Sequence, residues 1–170
     1  MTRRAGLAVL AAALCGLPMP LASAPEDPGK TVIGKVTVTV YYATDGDAAA
    51  AGAKATVVAK AMEQRLRNTE KLRFKQYRLL GDDTQPLFRS YENWARPLKP
   101  SEEVLVKFEA RNHPTPQATH IDLELWLSHK KILKTDVLLG GDHPLLVLGP
   151  EWRGGRLIIA VSLAGERNVR

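Results

Sequence analysis

Residues 31–44, TVIGKVTVTVYYAT, alternate strictly enough to admit one backbone. Val32, Val36, Val38, Val40 and Tyr42 fall on one side, and Lys35, Thr37 and Thr39 on the other. Successive side chains of an extended chain point to opposite faces, so the stretch predicts a half-buried β-strand. The pattern recurs. In 103–110, Val104, Val106, Phe108 and Ala110 alternate with Glu103, Leu105, Lys107 and Glu109; in 120–127, Ile121, Leu123, Leu125 and Leu127 alternate with Asp122, Glu124 and Trp126. A Pro-containing loop joins these two. Residues 131–139 and 144–148 read as two more strands separated by Gly140-Gly141-Asp142, and 156–164 as a last strand apolar on both faces. Residues 73–81 read as a strand closed by the turn signal Gly81-Asp82-Asp83, with a further short strand around 87–91 before a Pro-bracketed loop.

One stretch changes period. Over 53–72, Ala55, Val58, Ala61, Met62, Leu66, Thr69 and Leu72 recur at threes and fours, while Lys60, Gln64, Arg67 and Lys71 fall opposite. This predicts one amphipathic helix. The whole implies a mainly β domain with some α content: an antiparallel β-sandwich or open barrel carrying a single helix, over residues 31–164.

The ends bound where the chain works. Residues 1–24 read as a secretory signal, with Arg3 and Arg4 at the charged start, an apolar centre over 7–17 and Ala22-Ser23-Ala24 as the cleavage site. Cys15 lies in that apolar centre, but Leu14 stands where a lipid-modified cysteine wants a small residue before it. Cleavage would remove the only cysteine, and with it disulfide and thiolate chemistry. Residues 25–30 form a polar leader and 165–170 a tail. No later run approaches the roughly 18 apolar residues of a membrane span. The expected location is the periplasm or the medium. The formal charge of +6, two units of which leave with Arg3 and Arg4, is modest, and no reading motif accompanies it, so nucleic acid is not an expected partner.

Catalytic signatures are missing. Pro28-Gly29-Lys30-Thr31 lacks the first glycine and the preceding strand of a phosphate-binding loop. Asp45-Gly46-Asp47 is followed by four alanines that supply no side-chain oxygen to a calcium ion. Gly-x-Ser-x-Gly is absent. His120 and Asp122 share a strand face, as an orienting or metal pair would, but two polar residues on a solvated face explain that spacing equally well. Adjacent carboxylates, Asp82-Asp83 and Glu102-Glu103, diverge instead of converging. No cofactor or metal is expected.

The stretches FKQYRLLG (74–81), PLKPSEEVLVKFEA (97–110) and GPEWRGGRLIIAV (149–161) resemble small secreted β-rich proteins of uncharacterised function from verrucomicrobial and planctomycete-type bacteria. The resemblance implies an exported β-rich domain and brings no catalytic residues with it.

The functional expectation is therefore a non-catalytic interaction or structural domain of the cell envelope. The alternative is a module binding envelope polysaccharide or an anionic polymer through Trp126, Tyr91 and Trp94 with the Lys60, Arg67 and Lys71 stripe. Trp126 points outward if its neighbours face the core, and an exposed indole stacks on sugar rings or on a protein partner. The helix needs an apolar sheet face, however, and laying it over Trp126 and Leu105 would satisfy both surfaces. In Trp152-Arg153-Gly154-Gly155-Arg156, a hairpin corner is the plainer reading, and an anion clasp by Arg153 and Arg156 the functional one.

Overall fold

The structure, a computed structural model, describes residues 26–111, 118–140 and 143–164. The expected signal, His113 with most of its loop, the Gly141-Asp142 pair and the 165–170 tail lie outside these residues.

Two four-stranded antiparallel sheets face each other. Sheet I contains β1 (Val32–Thr44), β2 (Gln76–Phe88), β7 (Leu145–Trp152) and β8 (Gly155–Ala164), in the order β2-β1-β8-β7. Sheet II is a meander of β3 (Asn93–Ala95), β4 (Val104–Ala110), β5 (Ala118–Leu127) and β6 (Lys130–Gly140), in that order. The chain is thus a mainly β sandwich, and the sheets do not close into a barrel. The alternation explains the layering. Val36, Val38 and Val40 of β1 meet Val104, Val106 and Phe108 of β4 and Ile121, Leu123 and Leu125 of β5, all buried in one core with Leu157, Ile159 and Val161 of β8.

β8 is apolar on its other face too. Ile158 and Ala160 join Tyr41, Ala43 and Tyr77 in a second cluster on the outside of sheet I. Helix α1 (Lys60–Asn68) covers that outside. Leu66 is fully buried, and Val58, Met62 and Leu72 complete the apolar stripe. The helix therefore does not lie over Trp126 and Leu105 as expected; the two-sided strand is the one whose outer face must stay dry.

The helix is also shorter than the predicted 53–72. Thr56 exchanges two backbone hydrogen bonds of 2.9 Å with Leu79, drawing the β-branched Thr56-Val57-Val58 run into an extended path along β2. At the other end, Glu70–Leu72 tightens into a 3₁₀ turn.

Gly81-Asp82-Asp83 is not a turn. β2 runs through it to Phe88, taking in only the first two residues of the predicted 87–91 strand before the chain bends at Arg89 and Ser90, with a register shift that leaves Leu80 as the extra residue of a bulge. A Cβ on Gly81 would stand 2.2 Å from the Pro97 carbonyl oxygen, so only glycine admits the returning chain. Asp83 turns inward at this edge. It accepts from the Arg96 backbone N–H at 2.7 Å and pairs with Lys99 at 2.7 Å, pinning the crossing between the sheets. Burial would raise its carboxyl, but the Arg96 N–H, Lys99 and Gln85 together hold it below the ordinary value.

The β7–β8 segment is a hairpin corner, as the sequence implied, and its two-residue turn falls on Arg153-Gly154, with Gly155 already paired in β8. Arg153 (φ 48°) and Gly154 (φ 75°) are both left-handed, the geometry that suits the twist of a tight hairpin. Gly155 is needed for closeness: a Cβ there would come within 2.5 Å of the Tyr42 ring and the Ala43 carbonyl. Trp152 packs against the core edge, edge-on to Tyr42 at 5.7 Å, and donates to Glu103 at 2.9 Å.

Candidate functional site

The period-two alternation that buries one face of β4 and β5 turns Leu105, Lys107, Glu109, Asp122, Glu124 and Trp126 outward. No helix covers this outer face of sheet II among the described residues. Register then sets the neighbours: Trp94 lies opposite Lys107, Lys107 opposite Glu124 and Glu124 opposite Lys134, while Leu105 faces Trp126 and Trp126 faces Lys131. Trp94 and Trp126 belong to strands separated by β4, a span of about 10 Å. Their rings nevertheless come to 5.9 Å at a tilt of 56°, so the indoles lean together across β4. Both are half-buried.

Glu124 organises the polar half of the face. It is 4 % exposed, although it points away from the core, because its neighbours close over it. Its carboxylate accepts from the Trp126 indole at 3.1 Å and from Lys131 at 3.0 Å, with Lys134 at 3.6 Å and Lys107 at 4.0 Å. The Lys131 bond, more than any other contact, holds its carboxyl below the ordinary value, with burial opposing and the indole bond assisting. Lys131 also lies 5.3 Å from the Trp126 ring centroid, a cation over a π face. Across the face, Lys107 pairs with Glu92 at 2.7 Å, which lowers Glu92 and raises Lys107. The Trp126 indole edge and the carboxylates of Glu92, Asp122 and Glu124 are therefore fixed before any ligand arrives, and the two indoles are the apolar surface left between charged pairs.

His120 and Asp122 do share this face, but they are not partners. Asp122 is held by Arg111 and by Lys134 at 3.7 Å, and His120 sits 3.3 Å from Asp136. Among the described residues, no three of His, Cys, Asp and Glu gather as a metal-ligating group.

The remaining sequence-derived site residues go elsewhere. Tyr91 donates to Asp27 at 2.6 Å, and that bond is the main cause of the lowered Asp27 carboxyl. With the Ser90 N–H on the Gly29 carbonyl, it ties the leader's end to the β2–β3 loop. Lys60, Arg67 and Lys71 lie with the helix on the opposite side of the sandwich, so they do not form one surface with Trp94 and Trp126. Arg67 is structural: it pairs with Glu63 at 2.6 Å, donates to the Phe74 and Lys75 carbonyls and stacks 5.2 Å from the Tyr77 centroid. Arg156 is spent on the Gly149 carbonyl at 2.8 and 3.0 Å, whereas Arg153 lies 4.3 Å from the Trp152 ring centroid. The two do not clasp a common site.

Sequence reasoning placed Trp126 outward but missed Glu124 as the hub and Lys107, Lys131 and Lys134 as its partners. Alternation marks a residue as outward; it carries no cross-strand register, and register is what gathers these four side chains. No known protein family, curated protein or solved structure matches the chain.

Proposed function

We propose that the chain is a non-catalytic binding domain exported to the cell envelope, and that the outer face of sheet II takes envelope polysaccharide. The observation that carries this reading is the Trp94–Trp126 pair, 5.9 Å apart and edged by fixed carboxylates and ammonium groups. The C–H faces of a sugar ring pack on indoles while its hydroxyls find donors and acceptors alongside. A protein interface of comparable size favours a core depleted of charge. Here Lys107, Asp122, Glu124, Lys131 and Lys134 crowd the centre, which suits a polyhydroxyl ligand better. Because these charges already neutralise one another, stacking carries the binding and salt has little to screen.

The test is cosedimentation of the purified protein with isolated envelope polysaccharide and with peptidoglycan. Retention should survive high salt and fall about tenfold in Trp126→Ala and in Trp94→Ala, the loss of one stacked ring. Retention that is unchanged in both variants, or abolished by salt alone, refutes the reading.

An envelope protein partner has one specific feature in its favour. β6 pairs only with β5 among the described strands, and it leaves Ile132 and Leu138 47 % and 56 % exposed on an open edge. Such an edge accepts a strand from another chain. Cross-linking through Lys130 and Lys131 in intact cells would recover that partner in stoichiometric amount.

A further inference from the structure

Arg153 breaks a local rule. The first residue of a left-handed hairpin turn is ordinarily Asn, Asp or Gly, because an L side chain is strained there, yet this turn holds an arginine at φ 48°. Strain of this kind persists where its surroundings over-determine it, and it concentrates at functional positions. The surroundings are visible. The Arg153 carbonyl accepts from the Tyr42 hydroxyl at 3.0 Å, and its guanidinium rests on the Trp152 indole. The guanidinium also closes on Gly52, where a Cβ would stand 3.3 Å from Arg153 Nη1 and where φ is 96°. The cation is thus delivered to a fixed place over the 51–55 segment.

That place is the rim of a cavity of about 250 Å³, lined by Ala51, Lys54, Leu80, Leu98, Trp152 and Arg153 among others. Its lining includes two cations and no carboxylate. Lys99, Lys107, Lys131 and Lys134 all have acidic partners, whereas Lys54 and Arg153 have none among the described residues. Two unneutralised cations beside apolar walls attract an anion, and the walls select its body. A free phosphate meets the same two cations but has no apolar body to bury against Leu80 and Leu98; a carboxylate on an apolar chain adds the release of water from both walls and chain.

We propose that this cavity binds a small carboxylate with an apolar body. The carboxylate lies between Lys54 and the exposed edge of the Arg153 guanidinium, and the body lies against Leu80, Leu98 and Trp152. The site is separate from the tryptophan pair of sheet II and stands whether or not that face takes polysaccharide.

Titrating the ¹⁵N-labelled full chain with hexanoate, hexanol and inorganic phosphate, followed by NMR, tests the assignment. Hexanoate should give saturable shifts at the Trp152 indole N–H and at the Gly52, Lys54 and Gly154 amides. Hexanol, which lacks the charge, and phosphate, which lacks the body, should each bind about tenfold or more weakly. Lys54→Gln and Arg153→Gly should each weaken hexanoate binding about tenfold. Arg153→Gly suits the left-handed turn, so its fold should be retained, as an unchanged or raised Tm would report. Trp126→Ala should bind hexanoate like the wild type. The proposal is overturned by the absence of saturable shifts, by equal binding of hexanoate and either control probe, or by wild-type affinity in both cation variants.

Discussion

The two outer faces of the sandwich are built from strands with the same period and end in opposite states. Outside sheet I, Tyr41, Ala43, Tyr77, Ile158 and Ala160 lie under α1 and its flanking segments, with Leu66 fully buried at the centre. Outside sheet II, the outward positions are Lys107, Asp122, Glu124, Lys131 and Lys134 around two half-buried indoles, with no helix over them among the described residues. One face buries its side chains under a helix and the other sets them in an array of paired charges. The difference shows that an apolar residue outside a sheet has two meanings. Where both faces of the strand are apolar, it marks a covered surface; where it stands singly among paired charges, it marks an accessible one.

The sharpest way to break this comparison is to remove one anchor from each face. Leu66→Ala should destabilise the protein by about 3 kcal/mol, since a fully buried leucine leaves a cavity that the helix cannot collapse. Trp126→Ala, which truncates a half-buried ring in contact with solvent, should cost about 1 kcal/mol while removing most polysaccharide retention. Urea denaturation of both variants, beside the cosedimentation assay, reads the contrast. Equal losses of stability would mean that the sheet II face is as structural as the other.

Acid sharpens the comparison next. Glu124 has a lowered pKa when folded, so the folded state takes up its proton less readily than the unfolded chain. Its stabilising contribution is therefore complete above the unfolded carboxyl value of about 4.3 and is lost as pH falls through the lower folded value. Glu124→Gln should be less stable than the wild type at neutral pH, with the gap narrowing below about pH 4.3. Stability curves across that range test it. A pH-independent gap would place the effect of Glu124 in packing and not in charge.

The smallest effects belong to the helix's solvent side. Lys60→Ala and Lys71→Ala should each change stability by less than about 0.5 kcal/mol and leave retention on polysaccharide unchanged, because both side chains are exposed on the face opposite the indoles. A clear drop in retention for either variant would reunite the basic stripe with the binding surface.

Much of the fold was legible because burial imposes a period on the chain. The strands in 31–44, 103–110 and 120–127 were marked by alternation, and the apolar stripe Val58, Met62, Leu66 and Leu72 by its spacing of threes and fours. The helix's position was legible as well, in the two-sided apolar run 157–161, but the outward Trp126 drew the expectation to the wrong sheet. Gly81-Asp82-Asp83 misled for another reason: glycine beside aspartates signals a turn locally, whereas here the glycine admits the Pro97 carbonyl and Asp83 binds the Arg96 N–H. Both partners are more than ten residues distant in sequence. The candidate site was half legible. Trp94 and Trp126 were named, yet their company was wrong, since Tyr91 fastens the leader and Lys60 and Lys71 lie on the far side.

By itself, then, the sequence determined which residues turn inward, how many layers they need and where the tight β7–β8 corner falls, because each of these depends on neighbours along the chain. Tertiary structure alone decided which outer face the helix covers, that Glu124 becomes the buried hub of the other face, and that Lys54 and Arg153 share a cavity. Those outcomes depend on register and on contacts between distant segments, and a pattern of period two is the same in every register that keeps the core dry.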